Sequence, residues 1–431
     1  RELLRGETQD AGAHAVAWDG LSPAGEPMPA GDYEFRVLRT PGFTAHYVTS
    51  IGINPGSAPY DKWVGNHGGA ASVAVDATGM YAAAQVTETA PVLLKQSRDG
   101  ETRHWTRGRG DVTRGRFQGG ASLAADGQGR LYMLQQNGYL QVIDAAAGRR
   151  TATWDVLTKD KKRKSEGGPT FFIYQHGRRV AGADMAARGD TIVVSYRDHE
   201  MVRWLNPEDG SVAAEVKVDS PTGVAVSGDG TVYVISGEQV ITVAPDGKKQ
   251  TVIAEGLTAP RRLCVAPTTG DLLIAERAPS HQVKRYSGMG EHKATWGRAG
   301  GRLDGHYKPQ NFRGITDIVA DGSGGFFVAE LAPAPRRVAH FDAEGGLIDE
   351  WYGGQPYYAW GEPDPRDPSR VWFNPGHWLT LAEVDYENGG WRVLENYEIG
   401  TLAGGMVHSL PGHVGRWRVL YHGDQRYLVR T

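Results

Sequence analysis

The residues best suited to chemistry in this chain are arginines: Arg178, Arg179, Arg261, Arg262 and Arg313. A guanidinium presents a planar fork that bonds a carboxylate or sulfate in two places at once. Phe117 and Phe312 recur in the same sequence register and can stack on a sugar face, and Gln118 adds an amide. His67 falls in that register too and is the candidate base. Together they suit an anionic ligand. On a uronate polymer they suit elimination, where an arginine neutralises the carboxylate and His67 or a nearby tyrosine takes the C5 proton. The alternative is that these arginines pair with neighbouring acids such as Asp184 and Asp317.

Other candidates are weaker. Glu362, Asp364 and Asp367 place three carboxylates on a proline-held loop and are the calcium candidates, against a plain surface loop. No cofactor is predicted. The steps Asp99-Gly, Asp126-Gly, Asp229-Gly, Asp246-Gly and Asp321-Gly read as tight turns rather than ion sites. His377, His408 and His413 sit in Gly-rich stretches and read as polar turn residues. The basic run Lys159–Lys164 reads as a solvated loop. No phosphate loop, zincin helix, nucleophile elbow or EF-hand is present.

Short strands in a repeat must position these residues. Similar stretches start at Ser72, Ser122, Gly223 and Asp317, with weaker copies at Asp184 and Arg262. Each is an apolar strand, an Asp/Gly turn and a second strand, and further strands follow, as in Gln282–Tyr286 and Lys293–Trp296. A unit of about 40 residues with insertions fits the four-stranded blade of a β-propeller. Five positions upstream of each copy lie His67, Phe117, Arg179, Val218, Leu257 and Phe312, which are expected to ring one mouth of the channel. Strands near Arg370, Trp378, Trp391, Trp417 and Arg426 extend the count to eight units, with seven as the alternative. A strand from about 46–51 is expected to close the ring, which would remove an exposed sheet edge.

Composition agrees with an all-β chain. Glycine is 59 of 431 residues, about twice ordinary usage. The charge of −3 gives no field for nucleic acid, and no apolar run suffices for a membrane helix. The single Cys264 excludes a disulfide scaffold and a cysteine-zinc site. The start at Arg1 leads to the expectation that the chain is part of something longer.

Two resemblances refine this. Residues 220–354, and more loosely 66–218, resemble NHL repeats, with Glu276 and Glu330 standing where that pattern has Asp. Residues 1–40 differ: Trp18-Asp19-Gly20, then Gly31, Tyr33 and Arg36, resemble the later half of the immunoglobulin-like domain of flagellar hook-capping proteins. Alternating residues at His14–Trp18 and Tyr33–Leu38 predict two strands there. The division expected is a partial immunoglobulin-like domain over 1–40 and a propeller over 41–431. The first resemblance implies a binding mouth, and the second implies an extracellular or cell-surface setting. The functional expectation is a recognition or scaffold propeller for an anionic glycan or a protein partner. The alternative is a polysaccharide lyase or hydrolase acting on an anionic polysaccharide.

Overall fold

The computed structural model describes residues 2–5, 7–38, 46–49, 51, 63–65, 69–84, 91–113, 119–135, 137–156, 184–332, 335–353, 358–375, 378–398 and 417–430. The chain forms two compact units, Arg1–Tyr47 and Val48–Thr431.

In the first unit the expected strands at His14–Trp18 and Tyr33–Leu38 are absent, and the described residues hold one isolated bridge, Leu21 to Pro27. A lone two-stranded ribbon is marginal in water. What holds the turn is local. Trp18 Nε1 donates to the Leu21 carbonyl (2.9 Å), Leu21 N–H donates to Asp19 (3.0 Å), and the Trp18 and Tyr33 rings meet edge to face at 4.6 Å.

The second unit is an all-β propeller. Its described residues form eight sheets: six of four antiparallel strands, one of five and one of two. The eight units read in the sequence correspond to these sheets, and six of them make the ring. The innermost strands are Ala70–Asp76, Gly120–Ala125, Asp184–Arg188, Pro221–Val226, Pro260–Val265 and Ile315–Ala320, for blades one to six. Each packs beside the next, and the sixth packs beside the first. Six separate hydrophobic clusters fill the six gaps between neighbouring blades. Every blade is therefore covered on both faces, which is why second strands such as Gly79–Ala84 and Leu272–Glu276 carry apolar runs without alternation.

A repeated latch locks the rim. Trp105, Trp154, Trp296 and Trp351 lie on the fourth strands of blades one, two, five and six. Each indole lies against a turn glycine of the following blade: Gly148, Gly210, Gly345 and Gly100 respectively. All four glycines have φ between +64° and +83°, and a Cβ on any of them would overlap the indole. The turn thus needs glycine twice over, for backbone and for space. The last pair joins blade six to blade one. The Asp-Gly steps behave as turns: Gly100, Gly127, Gly230, Gly247 and Gly322 all have positive φ.

The closing strand expected at 46–51 does not form: residues 46–49 carry no strand, and blades one and six meet directly. Ile51 instead packs with Tyr352, Phe373 and Trp391. Those residues belong to the face that the five-stranded sheet (Gly305–His306 and four strands over 358–398) lays on blade six. Its other face, with Trp372, Leu379 and Leu381, is covered by the hairpin 417–430. No helix among the described residues is long and apolar enough to cross a membrane.

Candidate functional site

The inner strands present equivalent residues in layers around the channel. At the same point of five of them a β-bulge interrupts pairing, as between Ala70 and Ser72, Gly120 and Ser122, Pro221 and Val224, Pro260 and Arg262, and Ile315 and Asp317. A bulge re-aims the side chains beside it. Equivalent residues at this point of the six strands fall in one layer: Ser72, Ser122, Asp184, Gly223, Arg262 and Asp317.

This layer plugs the channel. Arg262 pairs with Asp184, lies 3.9 Å from Asp317, and donates to the carbonyls of Thr316 (3.1 Å) and Ala121 (3.1 Å). It therefore reaches from blade five to blades two, three and six. The same layer stitches neighbours together through backbone N–H groups of adjoining strands. Leu123 N–H donates to Ser72 Oγ (2.8 Å), Met185 N–H to Ser122 Oγ (3.2 Å), Val224 N–H to Asp184 (3.1 Å) and Val73 N–H to Asp317 (2.9 Å). Burial pushes the Asp317 carboxyl up to about 6, the Asp184 carboxylate adds to this, and Arg262 opposes it. An acid raised on folding favours the native state below its unfolded value, 3.8, and that support is lost as pH rises through about 6. Asp317→Asn should therefore gain on the wild type in melting temperature as pH rises across this window. Parallel melting curves for the two proteins would refute the assignment.

On one side of the plug lies a funnel of about 870 Å³, whose wall includes Val75, Ala125, Ala187, Cys264 and Val319. Its rim carboxylates are already engaged: Asp76 by Thr78 and Tyr81, Asp126 by Arg130, Asp321 by Ser323 and His340.

On the other side is the layer that precedes the plug, containing Ala71, Ala121, Thr222, Arg261 and Thr316. Blades four and five enter it alike. Ser220-Pro221-Thr222 matches Ala259-Pro260-Arg261, and both Ser220 (φ 43°) and Ala259 (φ 50°) are left-handed without being glycine. Such backbone costs free energy and marks places where position matters. Arg261 Nε and Nη1 are buried without a hydrogen-bond partner among the described residues, and so is the Thr222 hydroxyl. Burial pushes Arg261 down to about 10; Arg262, Arg277 and Arg197 act in the same direction as like charges, while Asp184 opposes. Arg277 is lowered by burial and by Arg262, and its Nε donates to the Ile315 carbonyl (3.1 Å).

The candidates named from sequence separate here. His67, Phe117, Gln118, Arg178 and Arg179 lie outside the described residues, as do the run at 159–164 and His377, His408 and His413. Arg261 and Arg262 come together, the first at the mouth and the second in the plug. Arg262 is thereby paired, as the alternative reading had it. Arg313 is engaged elsewhere, with Glu398 (2.7 Å) and over the Trp378 ring (4.4 Å). Phe312 corrects the expectation of a stacking platform: it is 0 % exposed and packs against Phe341. Val218 and Leu257 are core residues too. At its described positions, Val218, Leu257 and Phe312, the register five upstream leads into the core, whereas the mouth residue Arg261 is one position upstream. Arg197 and Arg277 were missed because they follow second strands rather than precede first ones.

The calcium candidates are committed to protein donors. Glu362 accepts from Arg418 (2.8 Å), Asp364 from Trp372 Nε1 (2.9 Å) and the Tyr421 hydroxyl (2.8 Å), and Asp367 from Ser369 (2.6 Å). They fasten strand ends and the terminal hairpin. Among the described residues no three metal-type ligands group together. Glu276 and Glu330 brace the loops that lead into blades five and six, accepting from Thr258 N–H (2.7 Å) and from Arg313 N–H. The longer side chain reaches back to the mouth loop.

Comparison with known proteins gives one family. The sequence pattern of the FlgD Ig-like domain matches residues 4–42. The chain matches no curated protein. Among solved structures it is similar to a protein of unknown function from Bacteroides caccae, with 14% identity over 61% of this chain and 89% of that one and a TM-score of 0.40. It is also similar to the hydrazine synthase of Kuenenia stuttgartiensis, with 16% identity over 61% and 76% and a TM-score of 0.38. A third is a catalytically inactive virginiamycin B lyase from Staphylococcus aureus with quinupristin, with 11% identity over 72% and 90% and a TM-score of 0.36.

Proposed function

We propose that the chain is an extracellular or cell-surface recognition module, an NHL-like propeller that binds an anionic glycan or protein at the arginine-bearing mouth. The observation that carries this reading is Arg261, partly buried among like charges, with two buried nitrogens unpartnered among the described residues. Burying an unsatisfied charged donor costs about 1–3 kcal/mol or more, so its retention argues for a partner that arrives from outside. The FlgD-type match over residues 4–42 supports the extracellular setting. Two of the arginines suited to elimination, Arg262 and Arg313, already hold carboxylates, which favours binding over turnover.

The test is a panel of a polyuronate, a sulfated galactan and a neutral glucan, read by calorimetry and by the ultraviolet absorbance of unsaturated uronates. Salt-sensitive binding of the anionic polymers without product is expected. Product formation would replace this reading with a lyase. Equal binding of the neutral glucan would remove the role of charge.

A further inference from the structure

The mouth carries more positive charge than one carboxylate neutralises. Arg262 is matched by Asp184, with Asp317 beside it. Arg197, Arg261 and Arg277 form no ion pair among the described residues, and Arg197 and Arg277 both depress Arg261. Beside them stands a neutral donor: Thr222 occupies in blade four the position of Arg261 in blade five. Its hydroxyl is buried and unpartnered among the described residues, and the residue is 7% exposed. Neighbouring blades thus present an orphaned hydroxyl and an orphaned guanidinium side by side, on strands bent by matching bulges.

A carboxylate offers one charge and two oxygens. A phosphate monoester offers up to two charges above its second pKa of about 6, and three terminal oxygens. Guanidinium clusters with a hydroxyl donor match the second set better. We infer that this mouth binds a dianionic phosphate group, free or carried on a sugar, with Arg261 as its principal ligand and Thr222, Arg277 and Arg197 as supports. The inference rests on the reading of this mouth as the binding face and narrows its ligand.

The test uses the full chain with inorganic phosphate, a hexose phosphate, sulfate, acetate and galacturonate, by calorimetry and thermal shift. Phosphate and hexose phosphate should bind, more tightly as pH rises through the second ionisation of phosphate. Sulfate, whose charge is fixed, should lack that rise and so controls for titration of Asp317. Tighter binding of the hexose phosphate would identify the sugar-borne group as the ligand, and equal binding the free ion. Arg261→Leu should weaken phosphate roughly ten- to hundredfold, with an unliganded melting temperature no lower than the wild type. The exposed Arg197→Ala variant should weaken it less. Acetate or galacturonate binding as tightly as phosphate would overturn the dianion inference and leave the recognition reading standing. Absence of any anion binding, with glycan binding unchanged in Arg261→Leu, would overturn both. A marked loss of unliganded stability in Arg261→Leu would make Arg261 a structural residue and overturn the inference.

Discussion

Trp351→Ala should open the ring at the gap between blades six and one. The indole is 4% exposed, belongs to the cluster with Trp63, Met80 and Phe327, and covers Gly100. Truncating a buried tryptophan costs about 3–5 kcal/mol. The informative contrast is Trp296→Ala, which empties the equivalent place between blades five and six. That gap is bridged by continuous chain. Both variants should lose stability in urea, but only Trp351→Ala should raise hydrogen exchange selectively along Ala70–Asp76 and Ile315–Ala320. Identical exchange maps would mean that the ring does not depend on this closing contact.

Glu330→Gln should cost about as much, for an electrostatic reason. The carboxylate is 0% exposed and receives Arg337, Arg302 (2.8 Å) and the Arg313 N–H. Arg337 in turn donates to Glu350 (2.6 Å), the Tyr307 hydroxyl (2.7 Å) and the Pro309 carbonyl (2.6 Å). The network anchors the loop that carries the short strand Gly305–His306 to blade six. Removing the acid takes the Glu330 charge away from two buried guanidinium groups, of which Arg337 keeps Glu350, at about 3–5 kcal/mol. The matched control is Glu398→Gln. Its partner Arg313 is partly exposed, so the expected loss is at most about 1 kcal/mol. Equal losses in urea unfolding would show that burial of the network is not what matters.

Much of the ring was legible in the sequence. The six aligned starts, Ser72, Ser122, Asp184, Gly223, Arg262 and Asp317, prove to be the six residues of the plug layer. Strand alternation and turn glycines carried that register because they are local. What the repeat could not show is which way a bulged strand aims its side chains. A slip of one residue exchanges channel for core, and Phe312 lies in the approach before its strand and packs into the core, whereas the mouth residue Arg261 lies on the strand at its bulge. The count of units was also readable, but not that the last two would form a layer beside the ring. That depends on Tyr352 and Trp391 packing across distant segments. The orphaned hydroxyl of Thr222 had no sequence signal, since any threonine on a strand looks the same.

The contact between blades six and one has a mechanical consequence. The segment leading into the ring, Trp63–Gly65, lies against Gly353, where the chain leaves it. Five of the gaps are crossed by peptide, and among the described residues this one is held by packing and hydrogen bonds without a chain crossing. Tension on the two ends of the ring would therefore act at one seam, pulling the first and last blades apart contact by contact as a zipper opens. The other four blades would feel little load until that seam had parted.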